Sequence, residues 1–333
     1  MIIESRLYDT SDGIVNCRTC AHYCRLKSGA KGICRVRRNI DGKLMVENYA
    51  LVSSVYPDPI EKKPLYHFKP GTTVLSLGGV SCNFRCDHCQ NYSISFATTD
   101  YYGIKEVSPH EAVDMIREYG CSGIAFTYNE PSIWHEYAED CMKIAKEGGF
   151  YTVYVTNGYL SDEAINSISS ILDSANVDVK AFTEKFYREI CGGKLENVLN
   201  CVEKMYKKGI FLELTYLIIP RKNDNPEEIR EFARWVVNID PSIPVHFSRF
   251  HPDYRLMDIP PTPVSTLELA HDIAKGEGVD YVYLGNVYGH RYEKTYCRNC
   301  GEMVIERRGF DVIANLLKGD KCPFCGERNN VIP

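Results

Sequence analysis

Residues 73–91 read TVLSLGGVSCNFRCDHCQN: an apolar, β-branched run, the pair Gly78-Gly79, then Cys82, Cys86 and Cys89 in C-x3-C-x2-C spacing. A strand that empties into a thiol-rich turn gathers metal ligands at one end of a sheet. A four-iron cluster takes one thiolate per iron, so three closely spaced cysteines leave one iron open. An open position marks a reactive site, whereas a closed ligand set marks a structural one. The alternative is a zinc knuckle, with His88 as the fourth ligand. The glycines would let the backbone pass close to a cluster. The Gln90 and Asn91 amides would either hydrogen-bond its sulfurs or cap the turn.

The 333-residue chain is 44% hydrophobic and 25% charged, an ordinary globular composition with room for one large domain plus additions, or for two. A net charge of −5 speaks against a general nucleic-acid or membrane-surface footprint. No apolar run approaches the roughly 20 residues of a membrane helix. The polar opening MIIESRLYDTSDG has no secretory apolar core, so a cytoplasmic location is expected. There, fifteen cysteines read as metal sites rather than disulfides. Cys17, Cys20, Cys24 and Cys34 form C-x2-C-x3-C-x9-C, and Cys297, Cys300, Cys322 and Cys325 form two C-x-x-C-G knuckles. Four thiolates make a closed site. The amino-terminal set suits a structural zinc or an auxiliary iron–sulfur cluster, and the carboxy-terminal set suits zinc or iron in a four-sulfur tetrahedron. A structural metal is the expectation for the first and zinc for the second; an electron relay or a substrate clamp is the functional alternative. Cys121, Cys141, Cys191 and Cys201 are scattered and read as buried thiols.

Outward from the cysteine loop, strand-like runs at 73–80, 123–128, 151–156, 176–181, 211–219, 245–250 and 281–285 alternate with helical patterns at 108–119, 132–147, 161–172, 195–208, 226–237 and 265–275. Ser108-Pro109 and Asn225-Pro226-Glu227-Glu228 open helices, and Gly120, Gly209 and Gly278 close them. The alternation predicts βαβ units and a parallel sheet. Periodicity leaves a barrel and a doubly wound sheet equally open.

C-x3-C-x2-C after a predicted strand, with Phe84 beside the cysteines, resembles the signature of the radical S-adenosylmethionine (SAM) enzymes. The resemblance implies an α/β fold: a partial (β/α)6 TIM-like barrel with its chemistry at the carboxyl ends of the strands. Three segments are then expected: an N-terminal four-cysteine module and linker (1–65), the barrel (66–290) and a zinc-ribbon or rubredoxin-like module (291–333). It also implies a [4Fe-4S] cluster on Cys82, Cys86 and Cys89 that reductively cleaves SAM to a 5′-deoxyadenosyl radical. Polar residues follow the predicted strands, as such a barrel requires. Asn129-Glu130-Pro131 stands in place of the family's Gly-Gly-Glu-Pro, with Glu130 facing the SAM ammonium and Asn129 sharing the polar role; Tyr128-Asn129 replaces the two glycines. A capped helix start is the plainer reading of these residues. Asp178 and Lys180 resemble the Asp-x-Lys of glycyl-radical activating enzymes, against a plain buried ion pair. Thr156-Asn157-Gly158 and His251 match further SAM-contacting positions of those enzymes, although Val155 stands where they carry a cation-binding Asp.

GICRVR, the run Asp58 to Phe68 (DPIEKKPLYHF), TYNEP, PPTP at 260–263, YVYLGN and the last cysteine pairs extend the resemblance over nearly the whole chain. Together they are similar to the radical SAM enzymes of the AmmeMemoRadiSam system, which are related to pyruvate formate-lyase activating enzymes. That resemblance implies a ferredoxin- or flavodoxin-type reductant, and Memo-like and AMMECR-type proteins as partners. The rival readings are a glycyl-radical-enzyme activase and, from another class, a non-catalytic electron carrier or metal-binding interaction protein. The run 58–68 is expected to link the amino-terminal module to the barrel and pack over one of its edges. Removal of 291–333 is expected to leave the central cluster intact.

Overall fold

The computed structural model describes all 333 residues. Its centre is an eight-stranded sheet: β1 (Ser54–Pro59), β2 (Thr73–Gly78), β3 (Gly123–Phe126), β4 (Tyr151–Thr156), β5 (Ser174–Asp178), β6 (Phe211–Ile218), β7 (Val245–Arg249) and β8 (Val282–Gly285). The strands lie in sequence order, β2 to β8 all parallel and β1 antiparallel at the edge. Helices α1 (Pro109–Glu118), α2 (His135–Glu147), α3 (Asp162–Ile168), α4 (Leu195–Lys207), α5 (Pro226–Ile239) and α6 (Val264–Gly276) connect them. A doubly wound sheet reverses its strand order partway across. This one never does, so right-handed crossovers put every helix on one face and the sheet curls into a partial barrel.

The local signals act as read. Ser108 caps α1 in a full capping box with Glu111, and the Asn225 side chain accepts from the Glu227 N–H at 2.9 Å. Gly120 adopts φ +64°, Gly209 φ +79° and Gly278 φ +103°, conformations only glycine takes cheaply. The core lies between sheet and helices, where Phe126, Tyr154, Leu214 and Phe247 meet Trp134, Val202, Met205 and Phe232.

The linker run does more than cover an edge. Its first two residues, Asp58 and Pro59, end β1, which pairs along its length with β2, although the sequence places them with the amino-terminal module. The next residues enter the amino-terminal mouth of the barrel. There the buried Glu213 carboxylate of β6 accepts the backbone N–H groups of Tyr66 at 3.0 Å, His67 at 2.7 Å and Phe68 at 3.3 Å. Asn176 of β5 donates to the Pro64 carbonyl at 2.7 Å, and His246 of β7 reaches Glu213 at 2.7 Å. A buried carboxylate is tolerated because every group facing it is a donor.

Two small modules flank the barrel. Residues 1–46 form two three-stranded sheets, and Thr295–Tyr296, Met303–Arg308 and Asp311–Asn315 form a third. The carboxy-terminal module is not a detachable appendage. Its Arg307 is buried, donates to Thr295 Oγ1 at 2.7 Å and to the Tyr66 carbonyl, and lies 3.5 Å from buried Glu61. His67 contacts the Asn330 carbonyl at 2.6 Å, and Phe68 forms a β-bridge with Ile332. Burial pushes the Glu61 carboxyl up, and Arg307 only partly offsets this. Arg307→Met is therefore expected to destabilise the whole chain by about 2–3 kcal/mol, read as a lower denaturation midpoint. Truncation before residue 291 is expected to cost more, because it also strips the barrel mouth of its cover. A 1–290 chain as stable as the full one would show the modules to be independent after all.

Candidate metal and cofactor site

A cleft of about 450 Å³ opens at the carboxyl ends of the strands, within the usual range for a ligand pocket. It is lined by Cys82, Cys86 and Cys89 after β2, Thr127 to Glu130 after β3, Thr156 and Asn157 at the end of β4, and Asp178 and Lys180 at β5. Lys62, Lys63 and Pro64 reach it from the plug. All the residues singled out for cluster and cofactor converge here except His251. That residue is exposed, its Nε2 2.9 Å from the Gln90 side chain at the rim. Thr215, Leu217, Ser248 and Asn286 also line the cleft. They sit at or near the ends of β6, β7 and β8, and strand-end position was the signal available for them.

The cysteine loop is held from below and beside. Cys191 O accepts from Arg85 N at 2.8 Å and Ile190 O from Asp87 N at 3.1 Å, both from a π-helical turn over Tyr187–Cys191. Such turns recur at functional sites. Phe84 packs on Tyr159 with ring centroids 4.9 Å apart, and a Cβ at Gly193 would lie 2.5 Å from its ring. Cys82 Sγ accepts from Phe84 N at 3.4 Å, and the Asn157 amide is 3.9 Å from the same sulfur. Gly78 and Gly79 make room for aromatic side chains instead of a cluster, since a Cβ on them would meet Tyr128 at 3.0 Å and Trp134 at 2.9 Å. Gln90 and Asn91 tie the loop to its neighbours, Asn91 donating to Tyr128 O at 2.6 Å.

The donor set fits an iron–sulfur cluster with one open iron. Burial pushes the Cys82 and Cys89 thiols up; a hydrogen bond to the Cys191 thiol, then burial, does the same to Cys86. Buried thiols of this kind become thiolates when a metal supplies the compensating charge. His88 is buried with an unpartnered Nδ1, and the sulfurs and imidazole do not close to the 4.8 Å mutual spacing that the carboxy-terminal thiols reach.

Glu130 is both a cap and a cleft residue. Its carboxylate accepts from Ser132 N at 2.9 Å, Thr156 Oγ1 at 2.8 Å and Asn157 N at 2.8 Å. These three donors leave Oε2 with acceptor capacity. Asn129 braces the cysteine loop, accepting from Gly79 N at 3.1 Å and donating to Ser81 O at 2.7 Å. Tyr128, where the family pattern has glycine, adopts φ +70°, and its hydroxyl donates to Asp58 at 2.7 Å. Asp178 and Lys180 meet at 3.1 Å. Burial alone would lower Lys180, but Asp178 and the neighbouring thiols outweigh it and hold the ammonium well above its usual range.

The flanking cysteine sets differ. Cys297–Cys325 and Cys300–Cys322 each approach to 3.7 Å, and all four sulfurs lie within 4.8 Å of one another. A tetrahedron with metal–sulfur bonds of about 2.3 Å has sulfurs about 3.8 Å apart, so this set can hold one metal ion. Cys17, Cys20, Cys24 and Cys34 line a single cavity without reaching that spacing.

A family model described as the Radical SAM superfamily matches residues 77–236, from the end of β2 to within α5. The chain belongs to the radical SAM superfamily, and with it to the enzymes that generate radicals from SAM. It is 43% identical to an uncharacterised protein of Methanocaldococcus jannaschii over 99% of both chains. It is also 26% identical to the pyruvate formate-lyase-activating enzyme of Clostridium pasteurianum, over 54% of this chain and 80% of that one. Streptococcus suis SuiB bound to S-adenosylmethionine shares the fold, with a TM-score of 0.50 at 10% identity over 68% of this chain and 55% of that one. No helix is long and apolar enough to cross a membrane.

Proposed function

We propose that the chain takes a hydrogen atom from a substrate bound beside SAM in the strand-end cleft, and that it is the radical SAM component of an AmmeMemoRadiSam system. A [4Fe-4S] cluster on Cys82, Cys86 and Cys89 would supply the electron that splits SAM into methionine and a 5′-deoxyadenosyl radical. Glu130 Oε2, held by Thr156 and Asn157, would accept from the SAM ammonium in a charge-assisted bond, and the Lys180 ammonium, steadied by Asp178, would take the SAM carboxylate. Asn129 sets the loop that carries the thiols, and His251 closes the rim through Gln90. Strands and packed aromatics fix these groups, and such rigidity is what orientation and exclusion of water require. A ferredoxin- or flavodoxin-class protein delivers the electron. One observation carries the reading: one buried and two half-buried thiols share a cleft with a carboxylate–ammonium set.

Activation of a glycyl-radical enzyme is the second reading, favoured by the partial likeness to the Clostridium pasteurianum enzyme. Anaerobic reconstitution with iron, sulfide, SAM and dithionite tests the chemistry common to both, through release of 5′-deoxyadenosine. An intact cluster that yields none, with or without added cell extract as a source of substrate, would sink them. Lys180→Met is expected to weaken SAM binding roughly tenfold, the worth of one charge-assisted contact, and Asp178→Asn by less, measured by calorimetry on the reconstituted protein.

A further inference from the structure

We infer that Lys62 and Lys63 anchor the substrate, and that the substrate therefore carries a carboxylate or a phosphate. The inference rests on the proposed function for the place of SAM and deepens it by naming the chemistry of what binds beside it. The thiols, Glu130, Thr156, Asn157, Asp178 and Lys180 occupy the part of the cleft that follows β2 to β5. The remainder includes Lys62, Lys63, Tyr128, Leu217, Ser248 and Asn286. In that remainder the two lysines are the only charged side chains. Burial pulls the His88 imidazole down to about 3, so it adds no charge.

The lysine charges are not cancelled from behind. A single carboxylate, Asp58, serves both ammoniums, accepting from Lys62 Nζ at 2.8 Å on Oδ1 and from Lys63 Nζ at 2.7 Å on Oδ2. Its Oδ2 also accepts from the Tyr128 hydroxyl at 2.7 Å. Asp58 does not line the cleft, so two cations over one anion leave a net positive charge there.

Lys63 carries the argument further. Its side chain is 2% exposed, and an ammonium has three N–H donors. Asp58 takes one, and the Tyr128 ring, with its centroid 4.7 Å from Nζ, faces another. The third has no partner, and a buried charge with an idle donor is costly. Lys62 is half-exposed with two donors free. An anionic oxygen between the two ammoniums satisfies these donors with charge-assisted bonds. Asp58 fixes both lysines before the ligand arrives, so little side-chain freedom is lost on binding. Ammoniums act as point charges and take carboxylate and phosphate alike. A backbone glycine offers them no charge, so the anchor favours the first reading above over activation of a glycyl-radical enzyme.

The test is calorimetry on the reconstituted full chain, with inorganic phosphate in one arm and malonate in the other, each with and without SAM. At least one anion is expected to bind with a dissociation constant of about 1 mM or tighter, and the arm that binds tells phosphate from carboxylate. Lys63→Gln is expected to weaken that binding roughly tenfold, the worth of one charge-assisted contact. SAM affinity should stay within about twofold, as for separate sites. Lys62→Gln, at the half-exposed position, leaves Asp58 paired with Lys63 and should do the same, which keeps the test decisive if Lys63→Gln does not fold. Saturable binding of neither anion, or binding that neither variant weakens, would overturn the inference. So would an equal loss of SAM affinity in both variants, which would give the lysines to the SAM carboxylate. Anion binding by a protein that takes no SAM would sink the proposed function and leave the anchor standing, whereas SAM binding without anion binding would do the reverse.

Discussion

Cys86→Ala is expected to reduce 5′-deoxyadenosine formation to background while the chain stays folded. The residue supplies the middle of three thiolates. With two ligands left, a four-iron cluster has two undefended corners and degrades. The Cys191 thiol, buried in the π-helical turn and hydrogen-bonded to Cys86, is the one neighbouring sulfur, so Cys86→Ala is compared with the Cys86→Ala, Cys191→Ala double variant. Structural damage should be small, because the loop is held by Arg85 N on Cys191 O, by Asp87 N on Ile190 O and by Phe84 in its aromatic pocket, none of which uses the Cys86 side chain. Cys201→Ala is the control. That thiol is buried beside Met205, away from the cleft, so its loss should cost about 1 kcal/mol of packing and leave product formation in place. Product from Cys86→Ala at the wild-type rate would remove the trio from the chemistry. Loss of product in Cys201→Ala as well would mean that cysteine substitution disturbs the fold in general.

The second large effect concerns the ion pair that fastens the amino-terminal module to α2. Glu136 is wholly buried and accepts from Arg37 at 3.0 and 2.6 Å, from Ser5 Oγ at 2.7 Å and from Arg6 N at 3.2 Å. Glu136→Leu strands the Arg37 guanidinium without its counter-charge, which is expected to destabilise the chain by about 3–5 kcal/mol. Adding Arg37→Met should recover much of that loss, because an apolar pair carries no desolvation cost. Equilibrium denaturation of the two variants checks both statements. Equal losses would show that Arg37 is held by something other than Glu136. The pair also sets a pH dependence. Burial by itself would raise Glu136, but the Arg37 guanidinium outweighs it and holds the carboxyl well below its usual range. A carboxyl lowered on folding stabilises the native state fully above its unfolded value, near 4.3. That stability is lost progressively as pH falls below it. Wild-type stability should therefore drop more steeply below about pH 4 than that of the Arg37→Met, Glu136→Leu double variant.

Residues close together in the chain were the legible ones. Three cysteines within one loop, a Ser-Pro helix start and an apolar, β-branched strand are local patterns, and each formed as read. Strand-end residues such as Asn157 and Asp178 were also legible, because seven parallel strands bring their carboxyl ends to one mouth whatever the helices between them do. The single exception among the proposed cofactor contacts, His251, lies beyond the end of β7, where the chain has left the sheet and register no longer aims the side chain.

Contacts across long stretches of chain were not legible. Nothing near Glu213 announces that its carboxylate will receive the backbone of Tyr66, His67 and Phe68, or that Arg307 will be buried against Glu61. Hence the linker read as a cover proved to be the end of an edge strand and a plug. Two four-cysteine sets looked alike as closed sites, because spacing along the chain counts thiols without measuring the gap between their sulfurs. One closes to tetrahedral distances and the other surrounds a cavity. The sequence by itself determined the ligand types, the strand that delivers the central trio and the parallel βα alternation, since these follow from residue chemistry and short-range periodicity. Periodicity left barrel and doubly wound sheet open, the motif resemblance pointed to the barrel, and the unreversed strand order agrees with it. Tertiary structure alone decided the plug at its base and the gaps between the thiols of each set, because those depend on how distant segments meet when they bury their surfaces together.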